Sequence, residues 1–221
     1  MTKLCIRLIF LLCLVNNIFA DKSKWDDDKS GWSELQLAIY YKENDNVFQI
    51  INNNIELLNE GRNGTNAIEI AIRVNNEFAV YELLNRRLIF DLDELLIFAC
   101  LANSNIQIIE YLCNFGANVN YVRENGYNCL MAATSFSSLE IMKYLLDQNI
   151  DVNIGRRFSD GYTALTLAIY NSAFEKILLL LGSGANTFNI NNTGETAYDY
   201  AKSVTQRLEI EQKEKLLNLF R

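Results

Sequence analysis

The fold is decided by the stretch SDGYTALTLAIYNSAFEKILLLLGSGAN, residues 159–186. Within it, the turn residue Gly161 is followed by Thr163, whose side-chain oxygen suits a helix N-cap, and then by a short apolar run. A second apolar run over 177–181 precedes Gly184, which suits the left-handed residue that ends a helix. The stretch therefore predicts two short helices joined by a tight turn and closed by a glycine.

The same pattern recurs along the chain with a period near 33 residues. The turn glycines that mark it are Gly31, Gly64, Gly126, Gly161 and Gly194, spaced 33, 62, 35 and 33 residues apart. The 62-residue gap holds a further unit that starts near Leu92, and the unit after Arg87 is about five residues short. Such a period is typical of a solenoid, in which each unit buries its apolar face only against its neighbours. We therefore expect an all-α array of about six helix-turn-helix units with short β-hairpin finger loops, spanning residues 31–221.

The repeated motifs resemble the ankyrin repeat family. The stretches that carry the resemblance are GYNCLMAA at 126–133, LEIMKYLL at 139–146, GANVN at 116–120 and GETAYDYA at 194–201. The chain departs from the family because it has no proline and no histidine, both of which recur in the family's first helix. The resemblance implies a protein-protein interaction module whose partners dock on the concave face formed by the finger loops and first helices.

The residue after each turn glycine is expected to point outward from a finger. Large aromatic residues occupy three of these places, Trp32, Tyr127 and Tyr162. Tryptophan and tyrosine bury much surface at low entropic cost, so they suit a protein interface. The alternative is that this place in the repeat tolerates any residue.

The finger at 154–160 is two residues longer than its counterparts and is expected to protrude. It carries Arg156, Arg157 and Phe158, which suit the grip of an acidic partner surface. Tyr170, near the end of the following first helix, is expected to extend the same face. The alternatives are a solvated loop for the arginines and a packing role for Tyr170.

Residues 1–20 have the pattern of a secretory signal peptide. Lys3 and Arg7 precede an apolar run over 8–15, and Ala20 stands before the charged segment 21–30. The apolar run is too short for a comfortable membrane span. An uncleaved anchor and lipidation at Cys13 remain as alternatives. We expect export to the periplasm or cell envelope, or secretion, with a bacterial host favoured and no membrane span once the leader is removed.

The composition excludes most enzyme classes. Without histidine the chain has neither a Ser-His or Cys-His catalytic pair nor a histidine metal site, and we expect no cofactor. A formal net charge of −7 disfavours nucleic acid as a partner. Cys100, Cys113 and Cys129 lie in apolar repeat positions and are expected to be buried small hydrophobic residues.

These features predict an exported, monomeric, non-enzymatic module that binds a partner protein. Two other functions stay open, a structural or protective protein of the envelope and a regulatory subunit of a neighbouring enzyme.

Overall fold

In the computed structural model, twelve α-helices make up the regular structure of the described residues. Those residues are 31–53, 67–86, 90–155, 161–188, 194–204 and 210–220. The predicted signal peptide, the charged segment 21–30 and Gly64 lie outside them, as do Arg156, Arg157 and Phe158 of the long finger. The predicted all-α class is confirmed.

The helices are short and come in pairs. They are α1 Glu34–Tyr40, α2 Asn44–Asn53, α3 Ala67–Arg73, α4 Glu77–Asn85, α5 Leu92–Leu101, α6 Ile106–Asn114, α7 Cys129–Phe136, α8 Leu139–Asp147, α9 Ala164–Tyr170, α10 Phe174–Gly182, α11 Ala197–Val204 and α12 Ile210–Asn218.

The helices fall into two compact units, which divide between Ala67 and Ile68. In the first unit, α1 packs on α2 and buries Leu35 and Ile39 completely. A capping box starts α1, because the Ser33 side chain accepts from the backbone N–H of Gln36 while the Gln36 side chain accepts from the backbone N–H of Ser33.

The second unit is built as two layers of helices. The first helices of successive pairs, α5, α7, α9 and α11, pack one on the next. The second helices, α4, α6, α8 and α10, form the other layer in the same way. The largest fully buried side chains of this unit include Leu96, Ile108 and Ile109, which lie within the stack. Each pair therefore buries its apolar surface against its neighbours, as the repeat period predicted.

Local sequence signals set where the helices begin and end. Thr163 caps α9 as predicted, and its side chain forms a capping box with Thr166. Gly184 has a φ of +86°, which confirms the predicted left-handed stop after α10. Asn149 occupies the corresponding place after α8 with a φ of +57°. Asparagine tolerates this conformation better than most residues, so it replaces the glycine there.

A ladder of asparagine side chains ties the loops of successive pairs together. The Asn153 side chain accepts from the backbone N–H of Asn186 at 2.7 Å and donates to the carbonyl of Gly184 at 3.3 Å. Asn120 bridges to the loop at 149–151 in the same way, at 2.8 and 3.4 Å. These bonds satisfy backbone groups that lie outside the helices, and they fix the spacing between loops.

The ammonium group of Lys176 on α10 joins two pairs at a helix end. It donates to the carbonyl oxygens of Ala133, Thr134 and Ser137 at 3.2, 2.8 and 2.8 Å, at the carboxyl end of α7. Burial lowers the pKa of this lysine. A cation at the end of α7 complements both the free carbonyls and the helix dipole there.

Candidate protein-binding face

The first finger, residues 121–128, is a tight hairpin between α6 and α7. An antiparallel bridge pairs Val122 with Asn128, and the backbone N–H of Arg123 donates to the carbonyl of Tyr127 at 2.9 Å. The N–H of Gly126 closes the turn onto the carbonyl of Arg123 at 2.7 Å, with a φ of +80° at the glycine. A second bridge joins Gly155 to Thr163, so the long finger at 154–160 also starts as a hairpin, although 156–160 lie outside the described residues.

Three side chains anchor the first finger to the start of α5. Arg123 forms an ion pair with Glu94, with its Nε and Nη2 atoms 2.9 and 2.5 Å from Oε2. The hydroxyl of Tyr121 donates to the other carboxylate oxygen at 2.9 Å. Burial by itself raises the pKa of Glu94, but the hydrogen bond and charge of Arg123 and the hydrogen bond from Tyr121 outweigh it, so the pKa is lowered. The carboxylate therefore stays charged at neutral pH and holds the finger in place.

The expected exposure of Tyr127 and Tyr162 is wrong. Their exposed fractions are only 7% and 5%, so neither ring points outward from a finger. Each follows a turn glycine with positive φ and precedes a helix N-cap, and at that point the chain has already turned back toward the stack. The ring of Tyr162 packs against that of Tyr200 on α11, with centroids 5.2 Å apart. These tyrosines are core residues of the repeat.

A row of half-exposed side chains lies on the first helices instead. Each is the seventh residue of its helix: Arg73 on α3, Phe98 on α5, Ser135 on α7 and Tyr170 on α9. The guanidinium of Arg73 lies over the ring of Phe98 at 5.2 Å from its centroid, a cation–π contact. We call these four residues the inner row. Tyr170 belongs to it, and its partial exposure is compatible with its predicted place on the binding face.

Arg73 and Phe98 were not among the residues predicted from the sequence. Their position in the helix identifies them, because the seventh residue of each first helix belongs to the inner row. Finding that residue requires the start of each helix, and in the earlier repeats the motif is too weak to locate the start from the sequence.

Trp32 lies in the first unit and is only partly exposed. Its ring meets that of Tyr40 edge-on at 5.5 Å, and Tyr40 meets Tyr41 edge-on at 5.3 Å. Tyr40 is the seventh residue of α1, the register of the inner row. Trp32 is thus part of an aromatic cluster within its own unit.

The described residues contain no cluster of three histidine, cysteine, aspartate or glutamate side chains that would hold a metal ion. Cys100 and Cys129 are buried, as predicted, whereas Cys113 is only partly buried. Burial raises the pKa of all three thiols, that of Cys129 to about 12, so they are poor nucleophiles at neutral pH. No helix within the described ranges has the length and apolar character needed to cross a membrane.

The helix pairs, fingers and asparagine-linked loops define a helical repeat protein. A family model described as ankyrin repeats in three copies matches residues 86–156. An ankyrin repeat protein of Acanthamoeba polyphaga mimivirus is 31% identical over 125 residues, which cover 54% of this chain and 73% of that protein. The chain belongs to the ankyrin repeat family, as the motifs predicted.

Two further relatives match over shorter stretches. An ankyrin repeat protein of fowlpox virus is 35% identical over 94 residues, and an ankyrin repeat-containing protein of Treponema pallidum is 34% identical over 88 residues. These matches cover 41% and 39% of this chain but only 27% and 29% of the two relatives. Ankyrin repeats are protein-protein interaction modules and are typically not enzymes.

Proposed function

We propose that this chain is an exported, non-enzymatic module that binds one partner protein through its first finger and inner row. The observation that carries the proposal is the inner row itself. Arginine, phenylalanine and tyrosine are residue types that dominate binding energy at interfaces, and here they repeat at one register on a fixed scaffold. The side chains are half-exposed, so a partner can bury the remainder of each ring without unfolding the stack.

The anchored finger adds preorganisation to this face. The Arg123–Glu94 ion pair and the Tyr121 hydrogen bond order the finger before any partner arrives. Ordering a loop in advance removes an entropic cost from association. At the tip, Glu124 is exposed and adds a negative charge. A partner surface with aliphatic or aromatic side chains beside a cation matches this combination.

Export rests on the leader pattern in the sequence. Lys3, Arg7, the apolar run and Ala20 support a cleaved signal peptide. Mass spectrometry of the protein from its own cells tests it, because cleavage predicts an N-terminus at Asp21. Recovery of the intact chain with a free Met1 in the soluble cell contents would refute export.

A monomer is proposed because the net charge of −7 opposes self-association, and sedimentation equilibrium measures the mass directly.

Affinity capture with matched variants tests the binding face. Phe98→Ala and Tyr170→Ala remove half-exposed rings of the inner row, whereas Phe188→Ala removes a ring that is 81% exposed in the loop after α10. We expect a stoichiometric partner in the wild-type and Phe188→Ala captures that is reduced at least tenfold with either inner-row variant. Equal capture by all four proteins, each shown to be folded, would refute the proposed face. Capture of no stoichiometric partner would favour the structural role, and altered activity of a captured enzyme would favour the regulatory role.

A further inference from the structure

Three aromatic rings form a cluster on the opposite layer, among the second helices. Tyr81 on α4 lies 5.3 Å from Tyr111 on α6 and 6.2 Å from Phe115, which follows α6, measured between ring centroids. Tyr81 is 43% exposed, and the other two rings are less exposed and partly buried. We call these three residues the outer aromatic cluster. They present ring surface to solvent on the side of the stack that the inner row does not use.

Two carboxylates lie on the helices that carry the cluster. Glu77 precedes Tyr81 by four residues on α4, so the two side chains share a helix face. Its carboxylate accepts a hydrogen bond from the Asn105 side chain. Glu110 comes one residue before Tyr111 on α6, on the adjoining side of the helix, and its carboxylate accepts from the Gln107 side chain at 3.0 Å. Neutral amides hold both carboxylates in place and add no positive charge to them.

No cation of the described chain neutralises these two carboxylates. Arg86 and Arg123 are engaged elsewhere, in ion pairs with Glu82 and Glu94. Tyrosine and phenylalanine rings carry a negative face, so the cluster and its carboxylates attract a positive charge together. Anionic lipid and nucleic acid are repelled by the same groups, and a second copy of this chain also brings a net charge of −7.

We propose that the outer aromatic cluster, with Glu77 and Glu110, is a second docking surface, for an arginine- or lysine-bearing segment of a protein partner. A guanidinium stacks on the Tyr81 or Tyr111 ring, and its neighbours in the segment pair with the two carboxylates. This surface lies on the second helices and is independent of the inner row. A chain that uses both layers can hold two partner segments at once.

The test is an NMR titration of the full-length chain, labelled with ¹⁵N, with hexa-arginine amide. Hexaglutamate is the charge-reversed control peptide. Saturating shift changes in the amides of α4 and α6 are expected with hexa-arginine at low salt, and no change with hexaglutamate. Tyr81→Ser is expected to weaken the affinity about fivefold, which is the size of an exposed cation–π contact. Glu110→Gln is expected to weaken it about threefold and to flatten its dependence on salt.

Tyr41→Ser is the matched control, because Tyr41 is a 59% exposed ring in the first unit. It is expected to leave the affinity unchanged, and Tm measurements confirm that all three variants fold. The proposal is overturned if hexa-arginine binds the Tyr81→Ser and Glu110→Gln variants as tightly as the wild type, or if it does not saturate at millimolar concentration. It is also overturned if the chain self-associates at these concentrations and Tyr81→Ser abolishes that association, because the surface then belongs to a second copy.

Discussion

Replacing Tyr162 by alanine tests whether this residue holds the stack together or contacts a partner. The exposed fraction of this side chain is only 5%, and its ring packs on Tyr200 of the next helix pair. An aromatic side chain buries about 150–250 Å². At about 25 cal/mol per Å² this amounts to about 4–6 kcal/mol, and the lower end, about 4 kcal/mol, lies within the range of about 3–5 kcal/mol for large aromatic-to-alanine changes in cores.

Urea unfolding followed by circular dichroism at 222 nm measures the loss. With a slope of about 2 kcal/mol per M, a loss of about 4 kcal/mol lowers the unfolding midpoint by about 2 M. If the last pairs unfold separately from the rest of the stack, the loss appears as an early partial transition. Phe188→Ala is the matched control, and its midpoint is expected to move by less than the equivalent of about 0.5 kcal/mol.

The opposite pattern would refute the burial of Tyr162. A Tyr162→Ala protein that unfolds at the wild-type midpoint while losing its partner would show that the ring is a surface contact. The sequence-based expectation that Tyr162 points outward from its finger would then be right.

Three further predictions concern the loops, the finger and the thiols. Asn153→Ala removes two hydrogen bonds to the next loop and is expected to cost about 1–2 kcal/mol in urea unfolding, whereas Asn114→Ala, at an exposed helix end, is expected to cost less than about 0.5 kcal/mol. Because the pKa of Glu94 is lowered in the folded chain, its stabilisation is complete above the pKa of an unfolded glutamate, about 4.3, and is lost as the pH falls through the folded value. Glu94→Gln is therefore expected to lower Tm at pH 7 and to lower it less at pH 3, and a Tm loss of equal size at both values would contradict the role of the Arg123 ion pair. The Cys129 thiol, with its pKa raised to about 12, is expected to react with a disulfide reagent at pH 8 only after urea is added, and rapid reaction of the native chain would contradict its burial.

The sequence predicted the features that depend on local chemistry. Thr163 caps its helix and Gly184 ends one because both roles are set by the residue's own side chain and backbone. The burial of Tyr162 was mispredicted because it depends on Tyr200, which lies 38 residues further along the chain. A repeat motif predicts the position of a residue within its own helix pair, whereas its burial depends on the side chains of the next pair.

The candidate site was predicted only in part for a related reason. Tyr170 was identified because it lies in the best-preserved unit, where the helix boundaries are clear. Arg73 and Phe98 lie in earlier repeats, whose glycine and alanine motifs are weak. The contact between them links two successive helix pairs, which the sequence of either repeat alone does not reveal. The anchoring of the first finger by Glu94 likewise crosses from one pair to another, over 29 residues of sequence.

Photo-crosslinking in the cells that make this protein tests most directly whether the inner row is the binding face. p-Benzoylphenylalanine is placed at position 135 or 170 of the inner row, or at position 188 in the exposed loop, and irradiated samples are resolved by mass. The proposed face predicts one discrete crosslinked protein, shared by positions 135 and 170 and absent from position 188. Discrete crosslinks from position 188 alone, with none from either position of the inner row, would contradict it.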